Sequence, residues 1–427
     1  MVRHATVITY GCQMNEYDNG RFRRMLVDAG YALTDDLARC EVIVVNTCAV
    51  RGTAEERAVG RLTELGGLRA AQPGLVLAVA GCVAKERGSD LLQYANAVVY
   101  PDAVDDFAAA LPTLTARSRV VLDGRAGQAF ARTPVAQGLL HFITVMTGCT
   151  NGCAYCIVPA VRGPERSRPA DAVVAEARAA VAAGARELTL LGQNVNAYGR
   201  ERAGEIGFPE LLRRVAAVPG LLRLRFVTSH PRDFGDGLVA AMAATPGVMP
   251  ALHLPAQSGS DRILAAMGRG YTAAHYRALA GKLRAALPDL ALSSDFIVGY
   301  PGETDADFAE TLALVRQVGF AHGFVFKYSP RPGTRAAALP ERVSDDVVAA
   351  RHRELLTLID AQAVAVAQAQ VGREVEVLVE SVAGGVARGR TRENRGTALT
   401  GGGVPGVLLR ARVTGTRGRV LLGEVRE

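Results

Sequence analysis

Gly148-Cys149-Thr150-Asn151-Gly152-Cys153-Ala154-Tyr155-Cys156 sets three thiols in one short loop, with three residues and then two between them. Thiols at that spacing can grip a single metal centre, and three is one fewer than the four that close an iron–sulfur cluster. A cluster held by three leaves one iron open to a further ligand. A structural zinc loop is the other reading of the triplet, and it needs a fourth Cys or His close by. The nearest histidine, His141, falls in the apolar run 139–145 and not in the loop.

Where the loop lies along the chain carries the fold reading. It follows an apolar run near 141–146, and five more such runs come after it, near 187–191, 224–227, 251–254, 295–298 and 323–327. Helical patterns alternate with them, most regularly over 171–183, 271–286 and 305–318. Six βα units predict an α/β fold with a barrel, or most of one, and function at the carboxyl ends of its strands. The cysteine loop occupies that end of the first strand. Polar, glycine-bearing turns follow later strands at Gly192-Gln193-Asn194-Val195-Asn196, Thr228-Ser229-His230, Pro255-Ala256-Gln257-Ser258-Gly259-Ser260 and Gly299-Tyr300-Pro301-Gly302-Glu303. Each alone is an ordinary βα turn; together on one rim they outline a ligand pocket.

Upstream, short β-branched runs at 7–10, 42–45 and 76–80 are each followed by a turn and a helical stretch, at about 17–29, 55–65 and 89–95. Runs buried on both faces with helices between them predict a parallel sheet, whose ligands sit off the carboxyl ends of the strands. Cys12, Cys48 and Cys82 each fall just past one of these strands. Three thiols far apart in sequence therefore converge on one edge of one sheet, whereas Cys40 precedes its strand and falls at the opposite edge. Ordinary semi-buried cysteines are the plainer alternative. From about 111 to 138 the pattern gives way to Pro, Gly, Arg and Thr, the composition of a linker. An Ala-rich helix over about 344–369 then leads to β-runs at 374–379, 397–399, 407–413 and 419–422, which predict a small closed β-barrel. The expected domains are 1–115, a linker over 116–138, 139–369 and 370–427.

A chain of 427 residues has room for about three domains. No apolar run approaches the roughly 20 residues of a membrane span, and the first ten residues read as a strand and not as a signal segment. A cytoplasmic protein is expected, in which seven cysteines serve as ligands or catalysts and not as disulfides. The net charge of +7 comes mainly from Arg, with only three Lys. Residues 371–427 hold ten Arg against six Glu, a net +4, and no Lys, Asp, His or aromatic residue. Such a module fits RNA held through its phosphates, without base stacking on aromatic rings; a solvated barrel with surface arginines is the alternative. Arg388, Arg390, Arg392 and Arg395 are the candidate phosphate contacts.

These motifs together resemble the radical S-adenosylmethionine methylthiotransferases. Met146-Thr147-Gly148-Cys149, Ile157-Val158-Pro159-Ala160-Val161-Arg162-Gly163 and Arg166-Ser167-Arg168-Pro169 are similar to that family's central signature. Thr9-Tyr10-Gly11-Cys12-Gln13-Met14-Asn15, Asn46-Thr47-Cys48-Ala49-Val50-Arg51 and Ala80-Gly81-Cys82-Val83-Ala84 resemble its N-terminal motifs, and Gly389-Arg390-Thr391-Arg392-Glu393-Asn394 resembles its TRAM RNA-binding domain. Gln13-Met14-Asn15, Gly192–Tyr198 and Tyr328–Thr334 look most like the branch that modifies isopentenylated adenosine in tRNA. Ala160 departs from the usual Tyr of the family, and Leu399 from a frequent Phe of the TRAM module.

The resemblance implies two [4Fe–4S] clusters. One, on Cys149, Cys153 and Cys156, binds S-adenosylmethionine and cleaves it reductively to a deoxyadenosyl radical. The other, auxiliary cluster sits on Cys12, Cys48 and Cys82. Tyr155 would stand beside the adenine, with Gln193, Gln257 and Gly299 in the pocket wall. The implied reaction places a methylthio group on carbon 2 of isopentenyladenosine next to the anticodon of tRNA. It would draw on an electron donor such as flavodoxin or ferredoxin and on a sulfur donor, with no membrane partner and the protein a monomer. Methylthiolation of threonylcarbamoyl-adenosine in tRNA, or of a ribosomal-protein aspartate, is the alternative within the family. An iron–sulfur RNA-binding protein without transferase activity is the alternative outside it.

Overall fold

In the first hundred residues the runs rich in Val, Ile and Ala become strands, and Val42–Thr47 and Val76–Gly81 are buried along their whole length. Runs covered on both faces belong to a parallel sheet. In the computed structural model, which describes residues 2–49, 52–124, 130, 133–134 and 138–426, that sheet has six parallel strands. They are β1 (Arg3–Tyr10), β2 (Tyr31–Leu33), β3 (Val42–Thr47), β4 (Val76–Gly81), β5 (Ala97–Val99) and β6 (Val120–Leu122), in the order β2-β1-β3-β4-β5-β6. The order turns back between β1 and β3, and the crevice at such a reversal is where open sheets of this kind bind ligands. Helices α1 (Gln13–Asp28), α2 (Gly52–Ala71), α3 (Cys82–Arg87) and α4 (Val104–Ala110) cover the faces, with a separate apolar cluster on each side. Strand β6 lies inside the stretch expected to be a linker, of which 125–129, 131–132 and 135–137 fall outside the described residues, as do Val50 and Arg51 of the Cys48 motif.

Helices α1 and α3 begin well before the expected positions. α1 starts directly after Cys12, because the Asn15 carboxamide accepts from the Cys12 backbone N–H at 3.3 Å and closes the first turn. α3 starts at Cys82 itself, and the stretch expected as a helix over 89–95 is largely a 3-10 turn, Gly88–Gln93.

The central unit runs β7 (Leu140–Thr144), β8 (Met146–Thr147), α5 (Val158–Arg162), β9 (Arg166–Ser167), α6 (Ala170–Ala182), β10 (Glu187–Leu191), α7 (Phe208–Ala216), β11 (Arg223–Phe226), α8 (Asp236–Ala244), β12 (Ala251–His253), α9 (Asp261–Ala266), α10 (Ala273–Ala286), β13 (Ala291–Val298), α11 (Asp305–Val318) and β14 (His322–Lys327). Its six long parallel strands form two three-stranded sheets, β7-β10-β11 and β12-β13-β14, which adjoin through β11 and β12. This is the expected partial barrel, with β7 and β14 as its outer strands. Leu188, Leu190, Leu224, Phe226, Phe296 and Val298 pack outward with the helices. Side chains alternate along a strand, so Glu187, Leu191, Arg225 and Val227 point into the barrel.

Helix α12 (Asp345–Gln368) packs along β14 and leads to a closed barrel of β15 (Glu374–Ala383), β16 (Val386–Thr391), β17 (Gly396–Thr400), β18 (Leu408–Arg417) and β19 (Val420–Arg426). Strand β16 is missing from the sequence reading, since Val-Ala-Arg-Gly-Arg-Thr carries little apolar signal. It pairs closely with β15 because Gly389 has no side chain: a β-carbon there would lie 1.9 Å from the Leu378 carbonyl oxygen. The small barrel docks on the amino ends of the central strands. Arg223 donates to the Arg390 carbonyl (2.6 Å), and Arg225 donates to the carbonyls of Thr391 (3.1 Å) and Arg392 (2.9 Å). Among the described residues, no helix is long and apolar enough to cross a membrane.

Candidate functional site

The loop after β8 is shaped by Gly148, which has φ +80° and whose β-carbon would fall 1.9 Å from the Pro164 carbonyl oxygen. Only glycine takes that turn without strain. Four backbone contacts fix the loop: Gly148 N–H to Gln193 Oε1 (2.6 Å), Cys149 N–H to Gly163 O (3.1 Å), Ala154 N–H to Met267 O (2.8 Å) and Ala336 N–H to Ala154 O (2.9 Å). Arg335 donates to the Gly152 carbonyl and Arg232 to the Asn151 carboxamide. Burial pushes the Cys149 thiol up to about 11 and the Cys156 thiol up to about 12, so binding a metal there would displace protons.

Arg269, which the sequence reading passed over, is buried beside this loop. Its guanidinium donates to Cys153 Sγ (3.4 Å), Tyr155 Oη (3.3 Å), Tyr271 Oη (3.1 Å) and the Pro255 carbonyl (2.9 Å). A fixed positive charge thus stands against the sulfur of the middle cysteine. His230 lies on the same rim, edge-on to Tyr271 with ring centroids 5.7 Å apart. Burial, and then the charge of Arg269, push its imidazole down to about 3, so it is neutral at physiological pH. Its Nε2 has no partner among the described residues.

The other pocket residues expected from sequence divide in role. Gln193 uses its carboxamide oxygen on the Gly148 N–H. Gln257 is held at φ +71°, a conformation rare for a residue with a side chain. The backbone bonds to Asp295 O (2.8 Å) and from Ile297 N–H (2.9 Å) hold it there, while its buried Oε1 has no partner among the described residues. Strain of this kind clusters at ligand sites. Gly299 meets a different demand: a β-carbon would fall 2.4 Å from Val348 of α12, and its N–H donates to Glu303 Oε2 at 2.8 Å.

Cys12, Cys48 and Cys82 converge at the carboxyl ends of β1, β3 and β4. A β-carbon on Gly11 would stand 2.9 Å from Cys48 Cβ, and one on Gly81, which has φ +92°, 2.3 Å from the Thr47 carbonyl oxygen. Glycine at both positions lets the three strand ends crowd together. Buried Asn15 ties them, donating to Thr47 O (2.9 Å) and to Asn46 Oδ1 (3.1 Å). The Cys12 thiol is lowered to about 6, chiefly by a hydrogen bond from Cys48 that outweighs burial, with help from the Asn15 backbone and Arg162. Burial pushes Cys82 up, opposed by Arg162, whose Nε lies 3.2 Å from Cys82 Sγ. Cys40 is buried at the amino end of β3, on the other edge, where burial pushes it up to about 11.

The two cysteine sets adjoin. Ile157 and Val161, from the segment leaving the Cys156 loop, pack in the same apolar cluster as Cys82, Val83 and Ala84. Arg162 is six positions after Cys156, a span of at most about 20 Å. Met14 and Cys12 pack on Phe142, Leu191 and Val227, which places the start of α1 over the barrel interior. Tyr17, Arg168 and Glu176 lock this interface: Arg168 Nη1 lies 2.6 Å from Glu176 Oε2 and donates to Tyr17 Oη at 3.2 Å. Among the described residues, no three His, Cys, Asp or Glu side chains are gathered at the spacing of a single ion. Three thiols per set are the donors that a cysteine-ligated cluster with one open iron would use.

Of the four arginines expected to meet RNA, only Arg388 is exposed. Arg390 bonds Glu380 Oε1 (2.5 Å) and Asn394 Oδ1 (2.9 Å) and approaches Glu187 of the central domain (3.4 Å). Arg392 reaches the Pro246 carbonyl at 3.4 Å, and Arg395 is half-buried.

A partial (β/α) barrel with a three-cysteine loop after its first strand, joined to a second thiol set on a parallel sheet, defines a radical S-adenosylmethionine protein with an auxiliary thiol site. Residues 143–315 match the Radical SAM superfamily, and residues 4–100 match the uncharacterized protein family UPF0004. The chain is 43% identical over 410 residues to the tRNA-2-methylthio-N(6)-dimethylallyladenosine synthase of Thermobifida fusca (strain YX), covering 91% of this chain and 81% of that protein. It is 46% identical over 385 residues to the protein of the same name from Cereibacter sphaeroides, covering 88% and 87%. The chain belongs to the tRNA-2-methylthio-N(6)-dimethylallyladenosine synthase family. Among solved structures, the radical S-adenosylmethionine methyltransferase TsrM from Kitasatospora setae, with cobalamin and a [4Fe-4S] cluster bound, superposes with a TM-score of 0.58 at 16% identity over 79% of this chain and 74% of that one. The cobalamin-dependent S-adenosylmethionine radical enzyme OxsB gives 0.53 at 11% identity over 83% and 56%. At these identities the likeness is one of fold.

Proposed function

We propose that this protein methylthiolates carbon 2 of isopentenyladenosine next to the anticodon of tRNA, using S-adenosylmethionine and two [4Fe–4S] clusters. The observation that carries the reading is the pair of thiol sets at adjoining strand ends, one on the central barrel and one on the N-terminal sheet. Cys149, Cys153 and Cys156 would hold the cluster that takes S-adenosylmethionine, and Cys12, Cys48 and Cys82 the auxiliary one. When bound, this cofactor pair supplies one-electron chemistry able to open an unactivated carbon–hydrogen bond. The protein contributes orientation and exclusion of water. Gln193 and Gly148 set the loop, Arg269 keeps a positive charge on Cys153 and a hydrogen bond on Tyr155, and Gln257 offers its free carboxamide oxygen to the cofactor. Gly299 shapes the rim through α12. Met14, Tyr17 and Arg168 close the barrel mouth under the N-terminal domain.

The exposed Arg388 serves as a phosphate contact and Arg395, in the turn after β16, as a second, while Arg390 and Arg392 chiefly hold the small barrel in place. An electron donor such as flavodoxin or ferredoxin and a sulfur donor complete the reaction in the cytoplasm, with the protein acting as a monomer. The test is mass spectrometry of tRNA nucleosides from a strain lacking the protein. The expected result is loss of 2-methylthio-isopentenyladenosine and accumulation of isopentenyladenosine. Unchanged isopentenyladenosine derivatives, with loss of the methylthio mark on threonylcarbamoyl-adenosine or on a ribosomal-protein aspartate, would move the substrate to one of those. No deoxyadenosine from S-adenosylmethionine under reducing conditions would leave only an iron–sulfur RNA-binding role.

A further inference from the structure

Arg162 ends the Ile157–Gly163 motif, and the reaction as described leaves it without a part. It is buried, 6% exposed, at the last position of α5. Its Nε lies 3.2 Å from Cys82 Sγ and its Nη2 2.8 Å from Asp18 Oδ2. Asp18 belongs to α1, which begins after Cys12, and Cys82 opens α3. The guanidinium is therefore wedged between the two helices whose first turns carry two of the auxiliary thiols. The next residue along the chain, Gly163, accepts the backbone N–H of Cys149 at 3.1 Å. Two consecutive residues of the central domain thus hold one ligand of each set.

A buried cation is costly unless it is paired and hydrogen-bonded. Asp18 supplies one partner, and the planar fork of the guanidinium directs another N–H at the Cys82 sulfur. Hydrogen bonds to the sulfurs and nearby net charge are the protein's means of setting the potential of a thiolate-bound cluster. Reduction adds negative charge to such a cluster, and a fixed cation at hydrogen-bond distance favours the reduced form.

We propose that Arg162 is a positioning residue for the auxiliary site, contributed by the radical S-adenosylmethionine domain, and that its charge raises the reduction potential of the cluster on Cys12, Cys48 and Cys82. The proposal rests on those three cysteines being the ligands. The test uses the full-length chain in a Cys149→Ala, Cys153→Ala, Cys156→Ala background, reconstituted anaerobically with iron and sulfide, so that only the auxiliary set can hold a cluster. Iron content and a redox titration followed by electron paramagnetic resonance are compared for this parent, Arg162→Lys and Arg162→Gln. The Gln variant should show a more negative midpoint, by at least tenfold in the reduction equilibrium, about 59 mV for a one-electron couple. The Lys variant should stay nearer the parent. Loss of iron in the Gln variant with retention in the Lys variant would also support the role of charge. A Gln variant with full iron and the parental midpoint would overturn the proposal, as would equal loss of iron in both variants. A parent that holds no iron would overturn the ligand assignment itself, and the proposal with it.

Discussion

At Cys12 the fold changes the chemistry of a single thiol. Its neighbours Cys48, Asn15 and Arg162 lower it to about 6, while burial, with the carboxylates of Asp36 and Asp35, pushes Cys40 up to about 11. The thiolate is the nucleophile in alkylation, so in metal-free protein Cys12 should react with iodoacetamide at pH 7 well before Cys40. Its labelling should have a midpoint near pH 6, read by mass spectrometry of peptides across pH. A midpoint near that of a free thiol, about 8.5, would show that the Cys48 hydrogen bond does not operate. The same shift has a consequence for stability. Because the folded value lies below the unfolded one, Cys12 adds stability that is complete above the unfolded pKa and is lost as pH falls through about 6. The metal-free protein should therefore melt at a lower temperature below pH 6 than at pH 9, and replacing Cys12 with Ser should flatten that part of the profile.

Among the elements, the loop between β8 and α5 depends most on one residue. Gly148→Ala places a β-carbon on the Pro164 backbone carbonyl and forces φ +80° on a residue with a side chain. A backbone atom cannot swing away, and the left-handed conformation adds about 1–2 kcal/mol. The variant should lose about half of its iron on reconstitution, with the auxiliary half retained; full iron content would show that the loop has another way to turn. This loop was legible in the sequence because cysteine spacing is local, and so was the βα alternation, because strands buried on both faces read as apolar runs. The start of α1 was misread because Asn15, a polar residue, makes its first turn. β16 was missed because Gly389 and its arginines carry no apolar signal, and β6 because a short, half-exposed edge strand looks like linker. Arg162 and Arg269 were invisible as site residues for a different reason. Their sulfur partners lie 80 and 116 residues away in sequence, and only the fold brings them together.

Over the whole molecule, the small C-terminal barrel sits on the end of the central barrel opposite the cysteine loop, and its arginines divide into two kinds. Those near the interface meet acceptors already in place, with Glu187, 2% exposed, shared between Arg225 (3.0 Å) and Arg390 (3.4 Å). Arg388 faces solvent with its charge available to a phosphate. Bracing and the proposed RNA contact are therefore separable by mutation. Arg225→Ala removes one partner of a buried pair, leaves Glu187 with less compensation and frees the carbonyls of Thr391 and Arg392. Breaking such a pair costs about 3–5 kcal/mol. It should lower the melting temperature while leaving the salt dependence of tRNA binding unchanged in the folded protein. Arg388→Gln should do the opposite: an unchanged melting temperature, weaker tRNA binding, and a slope of log affinity against log salt reduced by slightly less than one, the value for a single phosphate contact. Phosphate contacts position a nucleic acid without reading its sequence, so the loss should be the same for tRNAs that do and do not carry the isopentenyl group. An Arg388→Gln protein with unaltered affinity and slope would leave the small barrel a brace only, and selection of the tRNA would then rest with the N-terminal domain and the barrel mouth.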